Sequence, residues 1–483
     1  MAKRKLSKHS ENKWVILALL ALAQFMVVLD VSIVNVALPS ISRALNFSPA
    51  NLQWVVTAYA LTFGGFLLLG GRAADLFGRR RVFMIAVSIF VLVSLLCGLA
   101  QSENQLIISR IVQGLAAAFM SPAALSIVLT EFREGKERNK ALGVWAAVAA
   151  GGAAVGVLLG GFLTQYLDWR WNFFVNVPVG LLVVLASSRL LPHHIGEEDH
   201  KIKLDITGAF SVTAGLMSLV YGLSKAPVSG WGSATVIGFL TASVLLLAGF
   251  IYNESRVAQP LMPLSLFKIR NVAGGNIAAL VIASTLFSQF FFMTLYVQTV
   301  LGYSPVKSGL SFLPITFIIG ITSAIVSKKV SRFGYKPFLV IGPLFLAIGF
   351  FLLTHIRVGG NYWHDVFPGI AINALGMGCS FIAMTLAATT GVPKHLSGLA
   401  SGILNTSQQV GGAIGLAVLS AVSVAATKHA LLTDHRTSPL QGRVDGFHSA
   451  FYTAIGLALV ASVVVMLVVR NQKASANGPA AAS

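Results

Sequence analysis

The chain holds 16 acids among 483 residues, nearly all of them in hydrophilic segments or at their edges. The exception is Asp30, embedded in an apolar run from Trp14 to about Pro39. An ionisable group at bilayer depth costs about 2.5–3.5 kcal/mol on insertion scales, so its presence asks for a function. Asp30 stands about eight residues before the outer end of its run, which puts it about 12 Å deep at 1.5 Å per residue. Arg110 is the one base inside an apolar run, about four residues from an outer end and so about 6 Å deep. Burial favours the neutral form of a carboxylic acid and a neighbouring guanidinium favours the ionised form. A pair of this kind can therefore take up or release a proton when its access to water changes. The residue types point to proton coupling by Asp30 and Arg110; the plainer reading of the same pair is a polar contact that ties two helices together.

A second cluster is a short charged loop, Gly71-Arg-Ala-Ala-Asp75-Leu-Phe-Gly78-Arg79-Arg80-Arg81, wedged between two apolar runs. Arg clusters in short loops at helix ends mark the cytoplasmic side of a membrane protein. An Asp beside a helix terminus and an Arg can also form charge-assisted bonds that exist in one rigid-body arrangement only.

The elements that must hold these groups are membrane spans. The chain is 55% apolar and 11% charged, against roughly 25% charged for a soluble domain. A net charge of +19 would suit nucleic acid only if the bases shared one face. Here they sort by membrane side. Apolar runs long enough to cross roughly 30 Å of hydrocarbon occur near 14–38, 51–70, 82–100, 106–129, 140–163, 172–191, 205–223, 234–252, 272–297, 309–327, 337–354, 366–390, 398–425 and 448–469. Placing both termini in the cytoplasm puts roughly 26 Lys and Arg inside and roughly 8 outside, which fixes the orientation. The first run is too long for a signal-peptide core and lacks a small-residue cleavage site. Cys97 and Cys379 both lie in apolar runs, which suggests neither a disulfide framework nor a metal site. The basic cytoplasmic loops face anionic membrane lipids.

A weak repeat adds to this. Ser327-Lys-Lys-Val-Ser331-Arg-Phe-Gly334-Tyr-Lys336 follows the tenth run as the Arg-rich loop follows the second, with Ser331 opposite Asp75 and Lys336 opposite Arg80. Duplicated halves are common in membrane carriers. The fold expected is an all-α integral membrane protein of about 14 transmembrane helices, with two six-helix bundles and an inserted pair. The divisions are 1–13 (cytoplasmic tail), 14–191 (spans 1–6), 192–204 (linker), 205–252 (spans 7 and 8), 253–271 (linker), 272–469 (spans 9–14) and 470–483 (cytoplasmic tail). In the fifth span Gly152, Gly156 and Gly160 recur at spacing four, with Gly161 beside them, a face that allows close helix approach.

The charged loop resembles the one between the second and third helices of the major facilitator superfamily, G-x-x-x-D-x-x-G-R-R. The run Leu29-Asp30-Val-Ser-Ile-Val-Asn35-Val-Ala37-Leu38-Pro39 resembles the first-helix signature of that superfamily's fourteen-span drug:proton antiporters. Gln53-Trp54-Val-Val-Thr57-Ala-Tyr59, Arg110-Ile-Val-Gln113-Gly114, Trp169 to Gly180 and Gly398 to Gly412 match in order at the expected spans. One departure is Val157, where such antiporters usually carry proline after Gly156. The resemblance implies alternating access by two rocking bundles and export of lipophilic or cationic small molecules from a bacterial cytoplasmic membrane. It implies a proton gradient in place of any cofactor. Asp30 and Arg110 would couple the proton, and Gly71, Asp75, Gly78, Arg79 and Arg80 would form a cytoplasmic latch. Phe25, Asn35, Phe287, Phe291, Met293, Asn405, Gln408 and Gln409 are the candidate substrate-cavity residues, an aromatic, thioether and amide set suited to ligands of several shapes. A dedicated exporter of one metabolite, antibiotic or siderophore, or an uptake symporter, is the alternative. No enzyme motif or metal-ligand spacing is present in the sequence.

Overall fold

The computed structural model describes residues 2–132, 135–191, 204–393, 396–433 and 438–472. The linker expected at 192–204 lies outside the described residues except for Leu204, as does the tail beyond Gln472. Fourteen described helices are long and apolar enough to cross a bilayer. They are α1 Lys13–Ala44, α2 Trp54–Phe77, α3 Arg79–Gly98, α4 Glu103–Glu131, α5 Lys136–Tyr166, α6 Trp171–Leu190, α7 Ile206–Ser229, α8 Ala234–Arg256, α9 Arg270–Val300, α10 Pro305–Phe333, α11 Lys336–Leu353, α12 Tyr362–Thr389, α13 Ser397–Thr433 and α14 Pro439–Val468. The start of α1 and the end of α14 lie on one face, the near face; the opposite one is the far face.

Local chemistry explains where the helices begin. Ser102, Asp205, Ser233, Ser304 and Ser438 each accept a backbone N–H from the first turn of α4, α7, α8, α10 and α14. Pro305 and Pro439 follow two of these caps, where a missing N–H costs nothing. The α2–α3 and α10–α11 turns pivot on Gly78 and Gly334, with φ of 91° and 79°.

Several helices outrun their apolar windows, because a helix stays hydrogen-bonded as it leaves the hydrocarbon. α1 continues through Pro39 to Ala44. Asp30 thus lies about 21 Å from the far end of its helix, and Arg110 about 10 Å into α4. Both sit deeper than the apolar windows imply.

Helix packing repeats with an offset of eight. α1 packs on α5 as α9 does on α13, α2 on α4 as α10 on α12, α3 on α4 as α11 on α12, and α3 on α6 as α11 on α14. The two sets meet where α2 touches α13 and where α5 touches α10. α7 and α8 pack on each other, and α7 leans on both α2 and α13. Lipid is as apolar as a side chain, so close approach through small residues must drive these contacts. A Cβ on Gly160 would lie 2.6 Å from the Ile33 carbonyl oxygen, and one on Gly156 would overlap Ser32. Gly152 packs on Phe25 and Val28. Gly411 and Gly415 bring α13 equally close to Leu280 and Ser284 of α9. Even the polar stitching recurs: Ser32 donates to the Gly152 carbonyl at 3.4 Å, and Ser284 to that of Gly411 at 2.7 Å. Gly161 faces elsewhere, against Pro305 of α10.

Candidate functional site

Asp30 and Arg110 meet. Arg110 Nη1 donates to Asp30 Oδ2 at 2.5 Å, joining α1 to α4. The same nitrogen donates to Gln113 Oε1 at 2.7 Å, and Arg110 Nε to the Val55 carbonyl at 2.8 Å. Gln113 Nε2 closes the ring with Asp30 Oδ1 at 2.9 Å and also reaches Ser94 Oγ at 2.9 Å. Asn176 Nδ2 adds a donor to Asp30 Oδ1 at 3.1 Å. The Cys97 thiol lies 3.5 Å from Gln113 Oε1. The guanidinium stacks 4.4 Å over the Tyr59 ring, a favourable cation–π geometry. Five helices, α1, α2, α3, α4 and α6, contribute to this cluster, and Asp30, Gln113 and Asn176 have no exposed surface. The Tyr59 hydroxyl and Asn176 Oδ1 are buried without a protein partner among the described residues.

On the opposite side of α1 lies a cavity of about 300 Å³. Gln24, Val27, Val28, Val31, Ser32 and Asn35 form its α1 wall, and Phe63, Phe287 and Phe290 supply aromatic faces. Its polar groups are amides and hydroxyls, including Gln24, Ser121, Thr316, Asn405 and Gln409. Asp30, two residues from Val28 and Ser32, points away because a helix turns about 200° in two steps. α1 is thus a partition with the cavity on one face and the ionic cluster on another. A larger space of about 950 Å³ lies nearer the far face, between the ends of α1, α9 and α13.

Of the cavity candidates, Asn35, Phe287, Asn405 and Gln409 line the central cavity. Phe291 lines the far-face space. Met293 is wholly buried in the core. Phe25 packs at Gly152 on α5, and the Gln408 amide contacts Met384 Sδ at 3.8 Å. Val157, at the position of the missing proline, lines the cavity, and its carbonyl would lie 2.7 Å from a Cβ on Gly309 of α10.

In the charged loop, Arg79 grips Asp75 through Nε at 3.2 Å and Nη2 at 3.1 Å. Arg80 donates to the Ser188 carbonyl on α6 at 2.5 Å, and Gly71 passes Pro122 at ordinary contact distance. Arg72, which counts in the sequence only as one of the cytoplasmic charges, has a structural role. It reaches the Gln259 carbonyl at 2.6 Å and also bonds that of Pro260, in the segment joining α8 to α9. Glu254 holds the same segment through the N–H groups of Leu261 and Met262. In the second half an uncharged set takes the corresponding place: Asn471 bonds the Phe333 carbonyl and the Lys336 N–H, and Asn271 bonds Tyr335 and the Arg470 N–H.

Fourteen spanning helices with a repeated packing plan, a central cavity and a buried ion pair beside it define a multi-pass membrane carrier. Residues 20–416 match the Major Facilitator Superfamily, and the chain belongs to it. It is 41% identical to the puromycin resistance protein pur8 of Streptomyces alboniger, over 98% of this chain and 94% of that one. It is 39% identical to the cephamycin export protein CmcT of Amycolatopsis lactamdurans over 85% of each, and 34% identical to the multidrug resistance protein Stp of Mycobacterium tuberculosis over 88% of this chain and 78% of that one. A solved peptide transporter POT in complex with sulfate shares the fold, with a TM-score of 0.67 at 17% identity over 93% of both chains.

Proposed function

We propose that this chain exports lipophilic small molecules from a bacterial cell in exchange for protons, with the near face cytoplasmic, by rocking of the bundles 14–191 and 272–469. The observation that carries the reading is the placement of a saturated Asp30–Arg110 pair on the face of α1 opposite an amphipathic cavity. A proton arriving at Asp30 from outside removes the counter-charge of Arg110, so the arrangement seen here loses stability and the partition helix shifts. Release of that proton toward the cytoplasm restores the pair and the loading state. One helix then reports proton occupancy to the substrate wall, and the imposed gradient drives the cycle. The Asp75–Arg79 contact, from α2 to α3, and the Arg80–Ser188 bond, from α3 to α6, support a latch at the cytoplasmic end of α2 and α3, since together they depend on one arrangement of three helix ends. The names of the relatives, a puromycin resistance protein, a cephamycin export protein and a multidrug resistance protein, support export. Anionic lipids would meet the basic near-face loops.

The test uses purified protein in proteoliposomes and radiolabelled N-acetylpuromycin, whose acylated amine carries no charge, as probe, under an imposed pH gradient. Gradient-driven accumulation that is lost in Asp30→Asn is expected. Accumulation by the variant equal to that of the parent chain overturns the coupling role.

A further inference from the structure

The charge pattern along the route narrows the substrate class, resting on the antiport reading above. No described residue lining the central cavity carries a charge. The nearest carboxylate, Asp30, is fully buried, faces the other side of α1 and has Arg110, Gln113 and Asn176 on its oxygens. Among the described residues the far-face space has Arg43, Lys428 and Arg443 in its wall and no acid. Lys307 adds a fourth cation, 3.6 Å over the ring of Tyr303, itself a wall residue. The described acids of the far-face ends are engaged elsewhere: Glu103 with Asn51, Asp168 with Arg170, Asp365 with Arg357 and Asp445 with Gln441.

We infer that the species this chain carries bears no positive charge: it is an uncharged or acidic amphiphile. A cation entering the cavity would shed its water without meeting a counter-ion, and three Phe faces replace that hydration only in part. It would then leave through a space whose walls repel it. An uncharged molecule meets the opposite conditions. The aromatic faces take its apolar body. Asn405, Thr316 and Gln409 make no side-chain hydrogen bond to protein among the described residues, and Gln409 Oε1 is a buried acceptor in want of a donor. Leaving such an acceptor empty is costly, so a neutral donor on the ligand is rewarded. Of the lipophilic or cationic small molecules that the family resemblance implies, the inference selects the lipophilic, non-cationic ones.

The experiment uses proteoliposomes and one radiolabelled scaffold in three charge forms: N-acetylpuromycin (neutral at that nitrogen), N-succinylpuromycin (acidic) and the N-trimethylammonium derivative (a fixed cation). Gradient-driven, Asp30-dependent transport of the neutral or acidic form at least tenfold faster than of the fixed cation is expected. In Asn405→Asp, which places a carboxylate in the cavity wall, the fixed cation should gain at least fivefold relative to the neutral form. Transport of the fixed cation by the unaltered chain at a rate within twofold of the neutral form overturns the inference and leaves antiport standing. Failure of every form to move under the gradient overturns the antiport reading, and this inference with it.

Discussion

Replacing Asp30 with asparagine keeps the side chain's shape and removes its charge. The Arg110 guanidinium, 1% exposed, then faces only neutral oxygens, those of Gln113, Val55 and the new amide. Breaking a buried pair from one side costs about 3–5 kcal/mol, because the surviving charge stays desolvated. Arg110→Gln is milder, since Asp30 keeps donors in Gln113 and Asn176 and can itself bind a proton; about 2–3 kcal/mol is expected. The double variant restores neutrality, so its cost should fall short of the sum by about 2 kcal/mol, within the range for residues in contact. The assay is equilibrium unfolding in mixed micelles, analysed as a double-mutant cycle, with transport measured in parallel. All three variants should lose gradient-driven accumulation, while Arg110→Gln and the double variant retain passive exchange of substrate across the vesicle. Additivity within about 0.5 kcal/mol would mean the two groups do not share an energy, and the argument that a proton on Asp30 destabilises this arrangement would fail.

Gly160→Ala should cost about 1–3 kcal/mol of stability through overlap with the Ile33 carbonyl, whereas Gly143→Ala, with nothing within 4 Å, should be silent in the same thermal-shift comparison. Gly78→Ala puts a side chain at φ 91°; a loss of about 1–3 kcal/mol with slowed transport is expected, and an unchanged melting temperature would show the turn relaxes freely. Arg72→Ala frees the Gln259 and Pro260 carbonyls and should raise hydrogen exchange of residues 257–269 at least tenfold, a change that peptide-level mass spectrometry will detect or deny. Phe287→Ala should change which lipophiles are carried, while Met293→Ala should lower stability and leave relative substrate preference intact; the reverse pattern would contradict the placement of the two side chains.

Span number and the two buried charges were legible because each rests on a one-dimensional signal: the length of an apolar run, or a charge where none is cheap. The partners of the pair were not. Gln113, Asn176 and Ser94 are uncharged polar residues inside spans, and such residues commonly satisfy themselves on their own helix, as Thr62 does on Ala58. Only the assembled packing brings them around Asp30. The cavity candidates fared unevenly for a geometric reason. Phe287, Phe291 and Met293 were chosen by residue type, which says nothing of position along the helix axis: Leu286, Phe287 and Phe290 reach the cavity wall, Phe291, one turn beyond Phe287 on the same face, lines the far-face space, and Met293 is buried in the core. The glycine seam of α5 was readable from its spacing; its counterpart on α13 begins at Gly411, inside a motif already quoted for family likeness, and ends at Gly415, beyond it. Arg72 passed as one more topological charge, since its partners lie almost two hundred positions away.

The Cys97 thiol, resting against Gln113, gives this chain a built-in reporter. It shares the cluster with Asp30, while the only other cysteine, Cys379, lies on α12 in the opposite bundle. A membrane-impermeant thiol reagent can reach Cys97 only in conformations that admit water to the acid. The rate of its alkylation, followed from each side of a vesicle in turn, is therefore a clock for the moments at which the proton's door stands open, and for the side on which it opens. No cysteine need be introduced to time it this way, and Cys379→Ala is the sole substitution needed.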